Sequence, residues 1–199
     1  MNGTNSKKGS MISASLILKH QIENPFSGPL FRFAIFISGA LPFTWSSSVG
    51  QDVYHLLIGD NPLNTTASEW QRLVESEPAH PGSFQNNSAG KILTDMFPTW
   101  KERRQCLVDT VKNPDNAHLK PRCFHPDLHH ERIGIPTAHV WGSQDIFRPH
   151  AVNLFKLCDP AVAAVFEHNG EHDVPHSLED SRSASEVVQK TILRSKFAI

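Results

Sequence analysis

Asp145 and His172 are the two residues of this 199-residue chain best placed to do chemistry. Each follows a strand-like run. Ile135-Pro136-Thr137-Ala138-His139-Val140-Trp141 leads into Gly142-Ser143-Gln144-Asp145, and Val162-Ala163-Ala164-Val165-Phe166-Glu167 leads on to Gly170-Glu171-His172-Asp173-Val174-Pro175. In a parallel α/β sheet, functional side chains sit just past the carboxyl ends of the strands. A carboxylate beside an imidazole fixes its tautomer and stabilises the imidazolium formed when the ring removes a hydroxyl proton. An Asp and then a His at two successive strand ends is therefore the back half of a Ser…Asp…His relay. The front half calls for a serine in a G-x-S-x-G elbow. No two of the 11 glycines stand four apart, so these residues do not contain that motif.

Each candidate also has a plainer reading. An Asp ahead of a helix is commonly a cap, and a lone loop histidine is commonly exposed. The chain order and the strand-end placement, taken together, favour the relay. His125, His129 and His130 form a denser cluster with possible metal-ligand spacing. Pro126 interrupts any fixed helical face there, and the cluster reads as a solvated loop rather than a metal site. Phe43, Trp45, Phe97 and Trp100 suit either a cleft for an apolar acyl chain or simple core packing, the second being the simpler reading.

The elements that must carry these residues follow from periodicity. Residues 11–22 are apolar on most faces and read as a buried helix stopped near Asn24-Pro25. The apolar run 33–37 reads as a strand covered on both faces. Residues 41–88 are loop-rich, with a short helix expected at 53–58. Residues 92–111 have a helical pattern, and 112–130 read as a polar surface crossing. Alternation then resumes, with strands expected at 137–141 and 161–167 and helices at 149–157 and 177–193. Ala184, Val187, Val188 and Ile192 give the last helix its apolar face. The order predicts an α/β protein with a parallel sheet of about three strands and flanking helices.

Composition narrows the partners. With 39% hydrophobic residues the chain can bury a core, and its net charge of −1, with no basic stripe, argues against nucleic acid. No apolar run is long enough for a membrane span, and the N-terminus has no apolar core of the signal-peptide kind. Cys106, Cys123 and Cys158 are an odd, scattered three, which predicts reduced thiols and a cytoplasmic location.

The chain resembles the fungal serine hydrolase family of the α/β-hydrolases, in particular its esterase and thiohydrolase branch beside polyketide synthases. The matching pieces are Gly9-Ser10-Met11-Ile12-Ser13-Ala14-Ser15-Leu16, Phe33-Ala34-Ile35-Phe36-Ile37-Ser38-Gly39, residues 135–142, Asp145 and Gly170-Glu171-His172-Asp173-Val174-Pro175. The resemblance implies a partial α/β-hydrolase fold in which residues 9–199 form the C-terminal part of a single domain, with an insert at about 41–130. It implies Asp145 as relay acid and His172 as base, with no metal or organic cofactor. Laid on the family pattern, Gly9 falls on the second glycine of the elbow, Lys7 on the nucleophile and Asn5 on the first glycine. The implied chain is thus N-terminally truncated, lacking the first strands and the elbow, and inactive as it stands. The implied substrate is a small-molecule ester or thioester, such as a polyketide acyl chain on a synthase carrier domain. The alternative is a non-catalytic remnant that binds an acyl ligand or a partner.

Overall fold

The computed structural model describes residues 4–44, 50–52 and 122–197. Helix α1 spans Thr4–Glu23 and is followed by strand β1, Ala34–Ile37. Two-residue strands β2 (Phe43–Thr44), β3 (Gln51–Asp52) and β4 (Arg122–Cys123) come next. The remainder alternates: β5 (Thr137–Gly142), α2 (Arg148–Lys156), β6 (Ala163–His168) and α3 (Leu178–Phe197). The chain divides into one unit of residues 1–43 and 124–199 and another of 44–123. In the second unit β3 pairs antiparallel with β4, and the Arg122 guanidinium holds the Gly50 carbonyl. The helices expected at 53–58 and 92–111, and Trp45, Phe97, Trp100 and Cys106, lie outside the described residues.

The first unit is built on a parallel sheet of order β1-β5-β6. Ala34 pairs with Thr137 and Ile37 with Val140, while Thr137 pairs with Ala163 and Gly142 with His168. All six residues of β5 are buried, as befits the central strand. β1 departs from expectation. Phe36 is buried, but Ile35 and Ile37 on the other face are each about 40% exposed. It is one of the two edge strands of the described sheet, and half of its apolar pattern faces outward.

α1 also differs from its expected bounds, starting at Thr4 rather than residue 11. It buries one face, through Ala14, Ile17 and Leu18, and leaves Ile12 and Leu16 exposed, so it is not a helix buried all round. Gln21 joins it to the approach to β5, donating to the Arg132 carbonyl at 2.9 Å and accepting from the Gly134 amide at 3.2 Å. α3 begins at a Ser177–Asp180 cap, in which the Ser177 hydroxyl accepts from the Asp180 amide at 3.0 Å and donates to its carboxylate at 2.8 Å. Its expected apolar face is only half-buried. The fully buried residues are Thr191 and Ser195, and Thr191 Oγ1 donates to the Val187 carbonyl at 3.0 Å. Short hydroxyl side chains let this helix lie close to β5.

Residues 122–130 correct another expectation. Cys123, Phe124 and His125 are buried, so this part of the stretch is no solvated crossing, whereas Asp127 and His130 are exposed. The Phe124 ring lies 4.7 Å from that of His129, and His129 Nδ1 is 3.2 Å from a Glu131 carboxylate oxygen.

The core of the first unit includes a buried imidazole. His139, in the middle of β5, is ringed by Phe36 at 5.1 Å and Phe155 at 5.3 Å. Its Nε2 lies 3.4 Å from the Cys158 thiol. Burial pushes the His139 pKa down to about 3 and the Cys158 thiol up to about 12. Both are therefore neutral packing groups at ordinary pH. In the unfolded chain the imidazole protonates near its usual value, so folding loses stability as pH falls below about 6.5. Replacing His139 by Phe should remove about 2 kcal/mol of the stability difference between pH 7 and pH 5. Urea unfolding of wild type and variant at the two pH values checks this, and equal slopes would contradict the buried, neutral imidazole.

Candidate active site

The site starts from the ends of β5 and β6, which adjoin in the sheet. Past these ends the two segments stay in contact. The Ser143 amide donates to the His168 carbonyl at 2.8 Å, and the Gln144 amide to the Gly170 carbonyl at 2.9 Å. Gln144 Nε2 also donates to Asn169 Oδ1 at 3.0 Å. This approach is possible only because residue 142 lacks a side chain. A Cβ there would stand 2.1 Å from the Gly170 oxygen and 2.2 Å from the Glu171 oxygen.

Asp145 lies in the turn between β5 and α2. Its carboxylate divides its two oxygens. Oδ1 accepts the Phe147 amide at 2.8 Å, which shapes the entry to the helix, and Oδ2 meets His172 Nδ1 at 2.7 Å. One oxygen thus bonds within its own turn and the other faces the imidazole, while the helix itself has no side-chain cap at its N-cap residue, Phe147. The Asp145 side chain is 1% exposed and that of His172 is 21% exposed. A carboxylate only accepts hydrogen bonds, so the proton between them sits on Nδ1 and leaves Nε2 as the basic nitrogen. The Phe147 ring packs edge-on against the imidazole at 5.5 Å. His172 Nε2 is buried and has no hydrogen-bond partner.

A second group holds the same turn from the side. Arg148, the first residue of α2, donates from Nε to Glu167 at 2.7 Å, and Trp141 Nε1 donates to the same carboxylate oxygen at 2.5 Å. The hydrogen bond from Arg148, followed by that from Trp141, holds the Glu167 carboxyl below its usual range. Trp141 and Glu167 are register partners on β5 and β6. Sequence reading did not pick out this clamp, because the register that aligns the two residues is a property of the sheet.

The other candidates are not brought to this place. Asn5, Lys7 and Gly9, laid on the elbow, lie within the first turns of α1 rather than at a strand-to-helix turn. Among the described residues no group of three or more His, Cys, Asp or Glu is arranged to hold a metal ion, the His125–His130 stretch included. A cavity of about 360 Å³ opens between α1 and β1, lined by residues such as Ser10, Ser13, Ile17 and Phe31, but neither Asp145 nor His172 reaches it. The chemistry of the Asp–His pair therefore marks the candidate site better than this hollow does. None of the described helices is long and apolar enough to cross a membrane.

Comparison with known proteins bears on the same residues. The family described as "Serine hydrolase (FSH1)" matches residues 7–184, which include both Asp145 and His172. The chain is 28% identical to the esterase alnB of Emericella nidulans, over 95% of this chain and 66% of that protein. It is 26% identical to the hydrolase FUB4 of Gibberella moniliformis, over 94% of this chain and 64% of that protein. A shorter stretch, 30% of the chain and 24% of the relative, is 37% identical to the thioesterase FSL2 of Gibberella zeae. The chain thus spans about two thirds of the length of the first of these relatives. No solved structure matches it significantly.

Gly142→Ala tests the geometry. The added methyl has two backbone carbonyls to displace, so the turns carrying Asp145 and His172 should separate. We expect a loss of about 2–4 kcal/mol of stability and of the downfield Nδ1–H resonance of His172 in the proton NMR spectrum. Gly134→Ala is the control, since its Cβ would meet only the flexible end of Gln21 at 3.9 Å. Retention of the His172 resonance in Gly142→Ala would show that the two turns are not held by this contact.

Proposed function

Since this chain belongs to the serine hydrolase (FSH1) family of α/β-hydrolases, we propose that Asp145 and His172 are the acid and base of an acyl-transfer relay acting on a carboxylic ester or thioester. The observation that carries this reading is the 2.7 Å bond between a buried carboxylate and Nδ1 of a partly exposed imidazole. The bond leaves Nε2 free to take a proton. In the reaction, Nε2 removes the proton of a serine hydroxyl as its oxygen attacks the acyl carbonyl. The imidazolium, stabilised by Asp145, then returns the proton to the leaving alcohol or thiol. Water repeats the sequence on the acyl-serine and releases the acid. Neither a metal nor an organic cofactor is required.

The finer reading follows the relatives, whose printed names include an esterase and a thioesterase. We take the substrate to be a small-molecule ester or thioester, and within that class a polyketide acyl chain released from a synthase carrier domain in secondary metabolism. Residues 9–199 belong, on this reading, to one α/β-hydrolase domain with its insert at about 41–130, and the protein acts in the cytoplasm.

The absence of G-x-S-x-G from these 199 residues favours a second reading for the chain by itself, that of a non-catalytic protein binding an acyl ligand or a partner. Loss of a relay member typically costs several powers of ten in rate. The 199-residue chain should therefore fail to label with a serine-directed fluorophosphonate at neutral pH. Stoichiometric labelling of one serine, abolished by His172→Ala and retained in His129→Ala, would show instead that the chain holds a complete relay.

A further inference from the structure

One residue at the same edge of the sheet has no role in the relay. Ser38 follows β1, the strand beside β5, and its amide donates to the Val140 carbonyl at 2.8 Å, continuing the ladder one residue past the Ile37–Val140 pair. Its φ is +45°, and among the described residues no other non-glycine has a positive φ. The residue is 4% exposed, yet its hydroxyl has no hydrogen-bond partner. A serine hydroxyl rotates freely about its Cβ and normally finds a nearby carbonyl. Here it finds none.

The turn is held in this conformation from both sides. The Ala40 amide donates to Ser10 Oγ at 2.9 Å, and Gly39 lies so close to α2 that a Cβ on it would stand 2.8 Å from Leu154 Cδ2. A strained backbone and an unpaired buried hydroxyl are two unfavourable features in one residue. Such features persist where the surrounding structure enforces them, and they concentrate at functional sites. The three strands are parallel, so the residues following β1, β5 and β6 share one edge. Three buried polar atoms without partners lie at or past those strand ends, Ser38 Oγ, His168 Nε2 and His172 Nε2.

We propose that Ser38 is a ligand-contacting residue of this site, its hydroxyl donating a hydrogen bond to an oxygen of the bound acyl ester or thioester. The proposal rests on the acyl-ligand reading above and adds a specific contact to it. Ser38 is not assigned as the nucleophile. Its role is to supply a donor that the protein leaves unpaired.

The test uses the full 199-residue chain and the variants Ser38→Ala and Ser38→Gly. Each is titrated with hexanoyl-N-acetylcysteamine, a small thioester, with the imidazole NMR resonances of His172 reporting binding and with thermal unfolding run in parallel. Wild type should bind with a shift at His172. Both variants should bind about three- to tenfold more weakly, the worth of one neutral hydrogen bond, and should melt at or above the wild-type temperature. The gain is expected to be clearer for Gly, which tolerates positive φ. If wild type binds and both variants match it, Ser38 makes no contact, while the Asp145–His172 reading stands. Lower melting temperatures in both variants would make the hydroxyl structural and overturn the proposal. No response at His172 in wild type would overturn the proposal together with the acyl-ligand reading.

Discussion

The contact between residue 142 and the Gly170–Glu171 backbone is the constraint on which the site depends. β5 and β6 are ordinary neighbours in a parallel sheet, and parallel strands fix only the separation of their ends. What brings a carboxylate to an imidazole 27 residues later is the collapse of one turn onto the other. That collapse needs a position without a side chain, two backbone hydrogen bonds across the gap and the Asn169 side chain, which Gln144 reaches. The Arg148–Glu167–Trp141 group then fixes the start of α2 relative to the sheet. Asp145 contributes through both its oxygens, so the residue that orients the histidine also shapes its own turn.

Much of this was legible in the sequence, for identifiable reasons. The pattern from 135 to 193 alternates between apolar runs and helical spacing with polar turns between them, and the structure follows it within a few residues. Strand-end placement of Asp145 and His172 followed from that alternation alone. Burial was less legible. α1 begins with polar residues that carry no periodic signal, so its first turns were invisible to an apolar pattern. His125 sits between Phe124 and Pro126, in a stretch whose histidines and prolines look like surface, yet it is fully buried. In α3 the apolar spacing pointed to Ala184 and Val188, whereas Thr191 and Ser195 lie deepest, because small hydroxyl residues suit close approach and satisfy themselves on the helix backbone. Ser38 was the least legible of all. The neighbouring Gly39 is the residue chemistry would choose for a positive φ, and the chain puts it one position earlier.

The interior of the first unit is more polar than its strand pattern suggests, and burial decides how those groups behave. His139 and Cys158 resemble a reactive pair by residue type, with sulfur and nitrogen 3.4 Å apart. Their surroundings make them inert, since a reactive thiol needs its thiolate and desolvation disfavours charge on either partner. His172 differs in being partly exposed and in facing a carboxylate. Two histidines of one unit thus sit in opposite surroundings, and the difference lies in solvent access and in the charge of the neighbour.

The placement of residues 44–123 between β1 and β5 has a kinetic consequence. β5 and β6 pair across 26 residues, whereas β1 and β5 pair across 103. Closing the longer loop costs about 1 kcal/mol more in chain entropy by the logarithmic rule, before any side chain is buried. Pairings of high sequence separation form late and slow the folding of the chains that depend on them. β5, α2, β6 and α3 are contiguous in sequence and can assemble as a local nucleus, with α1 and β1 joining once the intervening eighty residues permit. On this route the Asp–His pair is in place early, while the turn after β1 that carries Ser38 takes shape last.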